Sequence, residues 1–125
     1  VGLIPDCAGH WLLPRACGLN MAKELMMTQR AVKAPEMKEL GLCNHVYPKD
    51  QLMDEAMKLA EKICKNAQKA IRASKLAIRR GMDCDISTAV SYEALAFATC
   101  FGTEDQKEGM QAFLEKRKEK HFKNA

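Results

Sequence analysis

Only one stretch of this chain, Leu42 to Tyr47, reads as a β-strand, and it is closed by Pro48. A single strand cannot satisfy its own backbone N–H and C=O groups; it needs a sheet. The rest of the sequence offers helices and no partner strands. The chain is therefore expected to be mostly α, with its first third forming the last layer of a larger α/β core. It begins with Val1 rather than Met, which agrees with processing or with a piece of something longer.

The helical period is clear in the second half. Between residues 50 and 66, Leu52, Met53, Ala56, Met57, Leu59, Ala60, Ile63 and Cys64 form an i, i+3, i+4 stripe, with Asp50 as a candidate N-cap. Residues 68–81 follow with Ile71, Leu76 and Ile78 separated by helix-favouring alanines. Residues 86–101 repeat apolar side chains at Ile86, Val90, Ala94, Phe97 and Phe101. Thr103 with Gln106 three residues on is a capping-box pattern that starts a helix leading into a basic tail. In the first third, Asp6 is expected to cap a helix through Trp11, Leu12 and Leu13 that ends by Gly18, and Asn20 to cap the next. Pro35 and Gly41 bracket a short helix over 35–40.

Composition narrows the context. The chain has 125 residues, 47% of them hydrophobic, which excludes a disordered polymer. Six cysteines occur without any C-x-x-C pair, and His10, His45 and His121 are scattered without ligand spacing. Reduced cysteines packed as small hydrophobes in a reducing compartment are expected, with no metal site. Met26, Met53 and Met57 sit on apolar stripes and read as core filler. No apolar run reaches the ~18 residues that span a bilayer, so no membrane partner is expected. The formal charge of +4 is mild. Its basic residues gather in two groups: Lys62, Lys65, Lys69, Arg72, Lys75, Arg79 and Arg80, then Lys116, Arg117, Lys118, Lys120 and Lys123. These read as a solvated face or as a site for a phosphorylated ligand. Aromatic side chains do not interleave with them, which argues against nucleic acid.

Two places could carry chemistry. Asp6 follows a Pro-fixed extended segment and precedes the small residues Cys7, Ala8 and Gly9, which let backbone approach a ligand. It is either an N-cap or a carboxylate able to move a proton. Phe113, beside Met110 and Leu114 and just before Lys116, could bracket an adenine and a phosphate or serve as a packing anchor.

Three segments resemble the enoyl-CoA hydratase/isomerase (crotonase) superfamily. Gly2 to Arg15 is similar to a G-x-x-P-x-x-G-G-T segment, and Ala34 to Pro48 is similar to an A-x-x-A-x-x-x-G-L-V-x-x-V segment. Asp105 to Lys118 is similar to the C-terminal D-x-x-E-G-x-x-A-F-x-E-K-R signature. The run from Gly2 to Arg15 looks closest to epoxyphenylacetyl-CoA isomerases. The resemblance implies the C-terminal half of a crotonase-like ββα spiral subunit. Residues 1–48 would end the spiral core, and residues 49–125 would form the helical region used for trimers and hexamers. It implies an acyl-CoA thioester as substrate, with coenzyme A part of that substrate and no separate cofactor, in a cytoplasmic enzyme. The oxyanion hole and the hydratase glutamates would fall before Val1. Asp6 stands where the family usually has Gly and where some isomerases place a proton-transfer Asp. Trp11, Phe113 and Lys116 would contact substrate and coenzyme A. Ala8 and His10 depart from the family's Gly and Thr. As an isolated piece, the chain would be a non-catalytic assembly module.

Overall fold

The computed structural model describes residues 2–124, and among them every regular element is a helix. They divide into two compact units, one running to Glu55 and one from Ala56 onward.

In the first unit, α1 (Gly9–Cys17) and α2 (Leu19–Thr28) pack together. The expected end of α1 at Gly18 is present: its φ of 83° and its N–H donating to the Pro14 carbonyl stop the helix. The expected start is different. Asp6 does not cap α1 through its side chain; its backbone carbonyl accepts from Gly9 N–H at 2.9 Å, and the N-cap position is Ala8. Asn20 likewise lies inside the first turn of α2, whose N-cap is Gly18. The two helices are one residue apart, so the break has no room for a further capping residue. Ala22 and Leu25 of α2 are buried within this unit.

α3 (Ala34–Glu39) is the short helix that Pro35 and Gly41 bracket. Arg30 ties it to α2. Its guanidinium meets both Glu36 carboxylate oxygens at 2.7 and 3.1 Å and Glu24 at 3.3 Å. Gly41 has φ 74°, and a Cβ there would lie 3.3 Å from the Ala16 carbonyl oxygen, so both torsion and space favour glycine.

The expected strand at Leu42–Tyr47 is absent. The N–H groups of Leu42 and Cys43 turn back to the Met37 carbonyl, at 2.8 and 3.4 Å, and the following residues are irregular. No strand lies beside them among the described residues, so there is no ladder for them to join.

The second unit holds most of α4 (Leu52–Cys64), then α5 (Gln68–Gly81), α6 (Ile86–Phe101) and α7 (Glu104–Leu114). α5 and α6 form a close hairpin. A Cβ on Gly81 would lie 3.5 Å from that of Ala89, and Ala70, Ala73 and Ala77 continue the small-residue face of α5. Asp85 caps α6 by accepting from Thr88 N–H, and Thr103 caps α7 by accepting from Gln106 N–H.

The methionines expected as core filler are not buried: Met26 is half-buried, and Met53 and Met57 are exposed. The apolar stripe of α4 has no covering neighbour within the second unit, so amphipathicity did not translate into burial. The cysteines are all free, but none is buried. Cys7 and Cys64 are exposed, and the other four are half-buried. Cys17, Cys84 and Cys100 each direct the thiol to the carbonyl four residues back.

Candidate functional site

In the first unit the approach to α1 is an uncommon backbone path. Cys7 and Ala8 take φ values of 50° and 63° in succession, although neither is glycine. Each such residue costs about 1 kcal/mol or more, and strain of this kind gathers where a fold must aim a particular group. A Cβ on Gly9 would approach that of Pro5 to 3.3 Å, which fixes how tightly the turn closes. The turn leaves the Asp6 side chain exposed and without a hydrogen bond among the described residues. His10 is also exposed.

Trp11 is half-buried and carries a feature that the sequence reading missed. The Arg15 guanidinium lies 3.7 Å from the centre of its ring and donates to the Trp11 carbonyl at 3.0 Å. The i, i+4 spacing of an aromatic and an arginine on one helix was the available signal. In the same unit, Pro5, Leu12, Leu13, Ala16, Met26 and Leu42 line an open apolar depression of about 390 Å³. Neither Asp6 nor Trp11 lines it.

In the second unit Phe113 and Lys116 lie at the C-terminal end of α7. Phe113 is 75% exposed, so it is not a core anchor within this unit. Lys116 N–H donates to the Phe113 carbonyl at 3.1 Å, and Arg117 N–H donates to the Ala112 carbonyl at 2.9 Å. These two bonds make a Schellman ending, with Lys116 (φ 56°) in the left-handed position that glycine usually takes.

The tail then folds back along α7. Glu108 accepts from both terminal nitrogens of Arg117, at 3.0 and 3.2 Å, and from His121 N–H at 2.9 Å. Arg117 holds the Glu108 carboxyl down to about 2, and the carboxylates of Glu108 and Glu115 raise the Arg117 guanidinium in return. Asp105 is 2% exposed and accepts from the N–H groups of Lys123 and Asn124 at 2.6 and 3.0 Å. The Asn124 side chain accepts from Gln68 N–H at 3.0 Å, at the start of α5. The i, i+3 spacing of Asp105 and Glu108 places both on one helix face, and that spacing is the only trace of the fold-back in the sequence. Arg117 therefore leaves the expected solvated basic group. Lys62, Lys65, Lys69, Arg72, Lys75, Arg79 and Arg80 are all exposed, as a solvated face requires.

Among the described residues no three His, Cys, Asp or Glu side chains gather at metal-binding distance. No helix among them is long and apolar enough to cross a membrane.

Residues 1–124 match the enoyl-CoA hydratase/isomerase family. The chain is 48% identical over 124 residues to the short-chain-enoyl-CoA hydratase of Clostridium acetobutylicum, covering 99% of this chain and 48% of that protein. It is 47% identical over 118 residues to the crotonyl-CoA hydratase of Syntrophomonas wolfei, covering 94% of this chain and 45% of that protein. Its backbone superposes on the crystal structure of enoyl-CoA hydratase from Bacillus anthracis with a TM-score of 0.93 at 40% identity, covering 99% of this chain and 48% of the other. The chain thus spans about half the length of these relatives. Their names point to hydratases and not specifically to epoxyphenylacetyl-CoA isomerases. On the match over residues 1–124, this chain belongs to the enoyl-CoA hydratase/isomerase (crotonase) family.

Proposed function

We propose that this chain is the C-terminal part of an acyl-CoA enzyme subunit that hydrates a short-chain enoyl-CoA thioester through an enolate. The observation that carries the reading is the 48% identity to a short-chain-enoyl-CoA hydratase across 99% of this chain. A thioester enolate needs hydrogen-bond donors at its oxygen, and by resemblance those backbone N–H groups belong to segments ahead of Val1. This chain would contribute the acyl-side turn at Asp6, the Trp11 ring, and Phe113 with Lys116 at the nucleotide end of coenzyme A. Coenzyme A is then part of the substrate, and no separate cofactor is required. The reading places the enzyme in the cytoplasm as a homotrimer or hexamer.

A second reading, double-bond isomerisation, is favoured by the exposed Asp6 on its strained turn. A carboxylate without partners among the described residues is available to carry a proton between two carbons of a bound acyl chain. The discriminating experiment replaces Asp6 with Asn in the complete subunit and measures hydration and isomerisation separately. Loss of isomerisation by about 10²-fold with hydration retained assigns Asp6 to isomerisation. Equal loss of both makes Asp6 common to the two reactions, and unchanged rates remove it from the mechanism. The isolated 125 residues are proposed to act only as an assembly module. Turnover of a short-chain enoyl-CoA by the isolated chain would overturn that statement.

A further inference from the structure

Lys116 adopts a left-handed conformation that glycine would take at less cost, and among the described residues its ammonium makes no ion pair or hydrogen bond. Phe113, whose carbonyl accepts the Lys116 N–H, is three-quarters exposed. Neither side chain earns its place by stabilising this unit. The residues after Lys116 are tied back to α7 and to α5 at several points. Arg117 is gripped by the Glu108 fork and by Glu115, and it also donates to the Glu119 carbonyl at 3.1 Å. Further along, the buried Asp105 takes two successive backbone N–H groups, and Asn124 ends the strap on the first residue of α5. A strained residue persists only where its surroundings over-determine it. Here they do so from one side through Arg117 and from the other through the α7 helix end.

We infer that Glu108 and Asp105 are positioning residues for the nucleotide end of an acyl-CoA thioester: the strap they hold fixes the backbone at Lys116 so that Phe113 and Lys116 are presented together. This rests on the proposed acyl-CoA function. The strap supplies no contact to the ligand itself. It restricts where one aromatic ring and one ammonium can stand, which lowers the ordering cost of binding.

The test uses the complete subunit with Glu108→Gln and Asp105→Asn. Steady-state kinetics compare a short-chain enoyl-CoA with the same acyl group on pantetheine, which lacks the adenine and its phosphates. KM for the CoA thioester should rise about tenfold in each variant, with kcat within about twofold. KM for the pantetheine thioester should stay within about twofold of the parent. An equal rise for both substrates, or no rise for the CoA thioester, overturns the inference. Amide hydrogen exchange at His121, Lys123 and Asn124 gives a readout independent of turnover. It should accelerate in both variants, and unchanged exchange also overturns the inference. A parent subunit that turns over neither thioester, with normal exchange protection along the strap, would count instead against the acyl-CoA function.

Discussion

At the residue scale, left-handed backbone at non-glycine positions separates stability from use. Gln29 closes α2 with φ 54°, its N–H bonded to the Leu25 carbonyl, and Lys116 closes α7 with φ 56°. Glycine at either position removes about 1 kcal/mol of backbone strain, partly offset by the greater freedom it gives the unfolded chain. Gln29→Gly and Lys116→Gly are each expected to raise stability by about 0.5 kcal/mol, read from urea unfolding of the chain. In the complete subunit only Lys116→Gly should also weaken coenzyme A binding, measured by calorimetry. If both variants left binding unchanged, Lys116 would be an ordinary helix end. Ala8 raises the same question at the acyl side. Its φ of 63° is not legible from residue types, because alanine rarely enters that region and Asp6 is by type the better capping residue. The substitution of Ala8 for the family's Gly was visible; the strain it brings needed the backbone.

At the element scale, the helices of the second unit were legible because each carries its own evidence. The apolar period, the Thr103 cap and the alanine-rich interiors are local properties, whereas the Asp85 cap of α6 emerges only with the structure. The strand at 42–47 was misread because strand formation depends on a neighbour, and the β-favouring residues there could not reveal that Met37 would take their N–H groups. The strap after α7 escaped because it depends on carboxylates meeting backbone N–H groups up to 19 residues away. It makes an acid-sensitivity prediction. The Glu108 carboxyl ordinarily titrates near 4.5 and is held at about 2 in the folded strap. The ionised form is thus the one that favours the fold. Its contribution is complete above about pH 4.5 and is lost as pH falls toward and through about 2. The His121 amide resonance, which reports the bond to Glu108, should shift with a midpoint near 2. A midpoint near 4.5 would mean that the Arg117 fork does not hold in solution. Asp85→Ala, by contrast, should cost about 1 kcal/mol by loss of the α6 cap, with no change in that titration.

At the scale of the molecule, the sparse interior is the governing fact. Among the described residues the buried apolar side chains are only Ala22 and Leu25 in the first unit and Ala112 in the second. Large side chains on α5 and α6, including Ile78, Ile86, Leu95 and Phe97, are each more than 60% exposed. Monomeric proteins rarely leave so much contiguous apolar surface open, and covering one such side chain contributes about 1.5–3 kcal/mol. The chain alone should therefore associate. Sedimentation velocity at tens of micromolar is expected to show species heavier than the 14.0 kDa chain. The paired change Ile86→Asp and Phe97→Asp tests which surface is responsible. Ile86 is already largely in water, so its replacement should cost the second unit less than about 0.5 kcal/mol. Phe97 also meets the Phe101 ring edge-on at 5.1 Å, so its replacement should cost about 1 kcal/mol. Each carboxylate would nevertheless have to be desolvated for the α6 surface to be covered, a penalty larger than the apolar gain it replaces. The variant should retain its helical circular dichroism and sediment as the monomer. Persistence of the heavier species would move the association away from α6, and loss of helicity would show that α5 and α6 need this surface covered in order to fold.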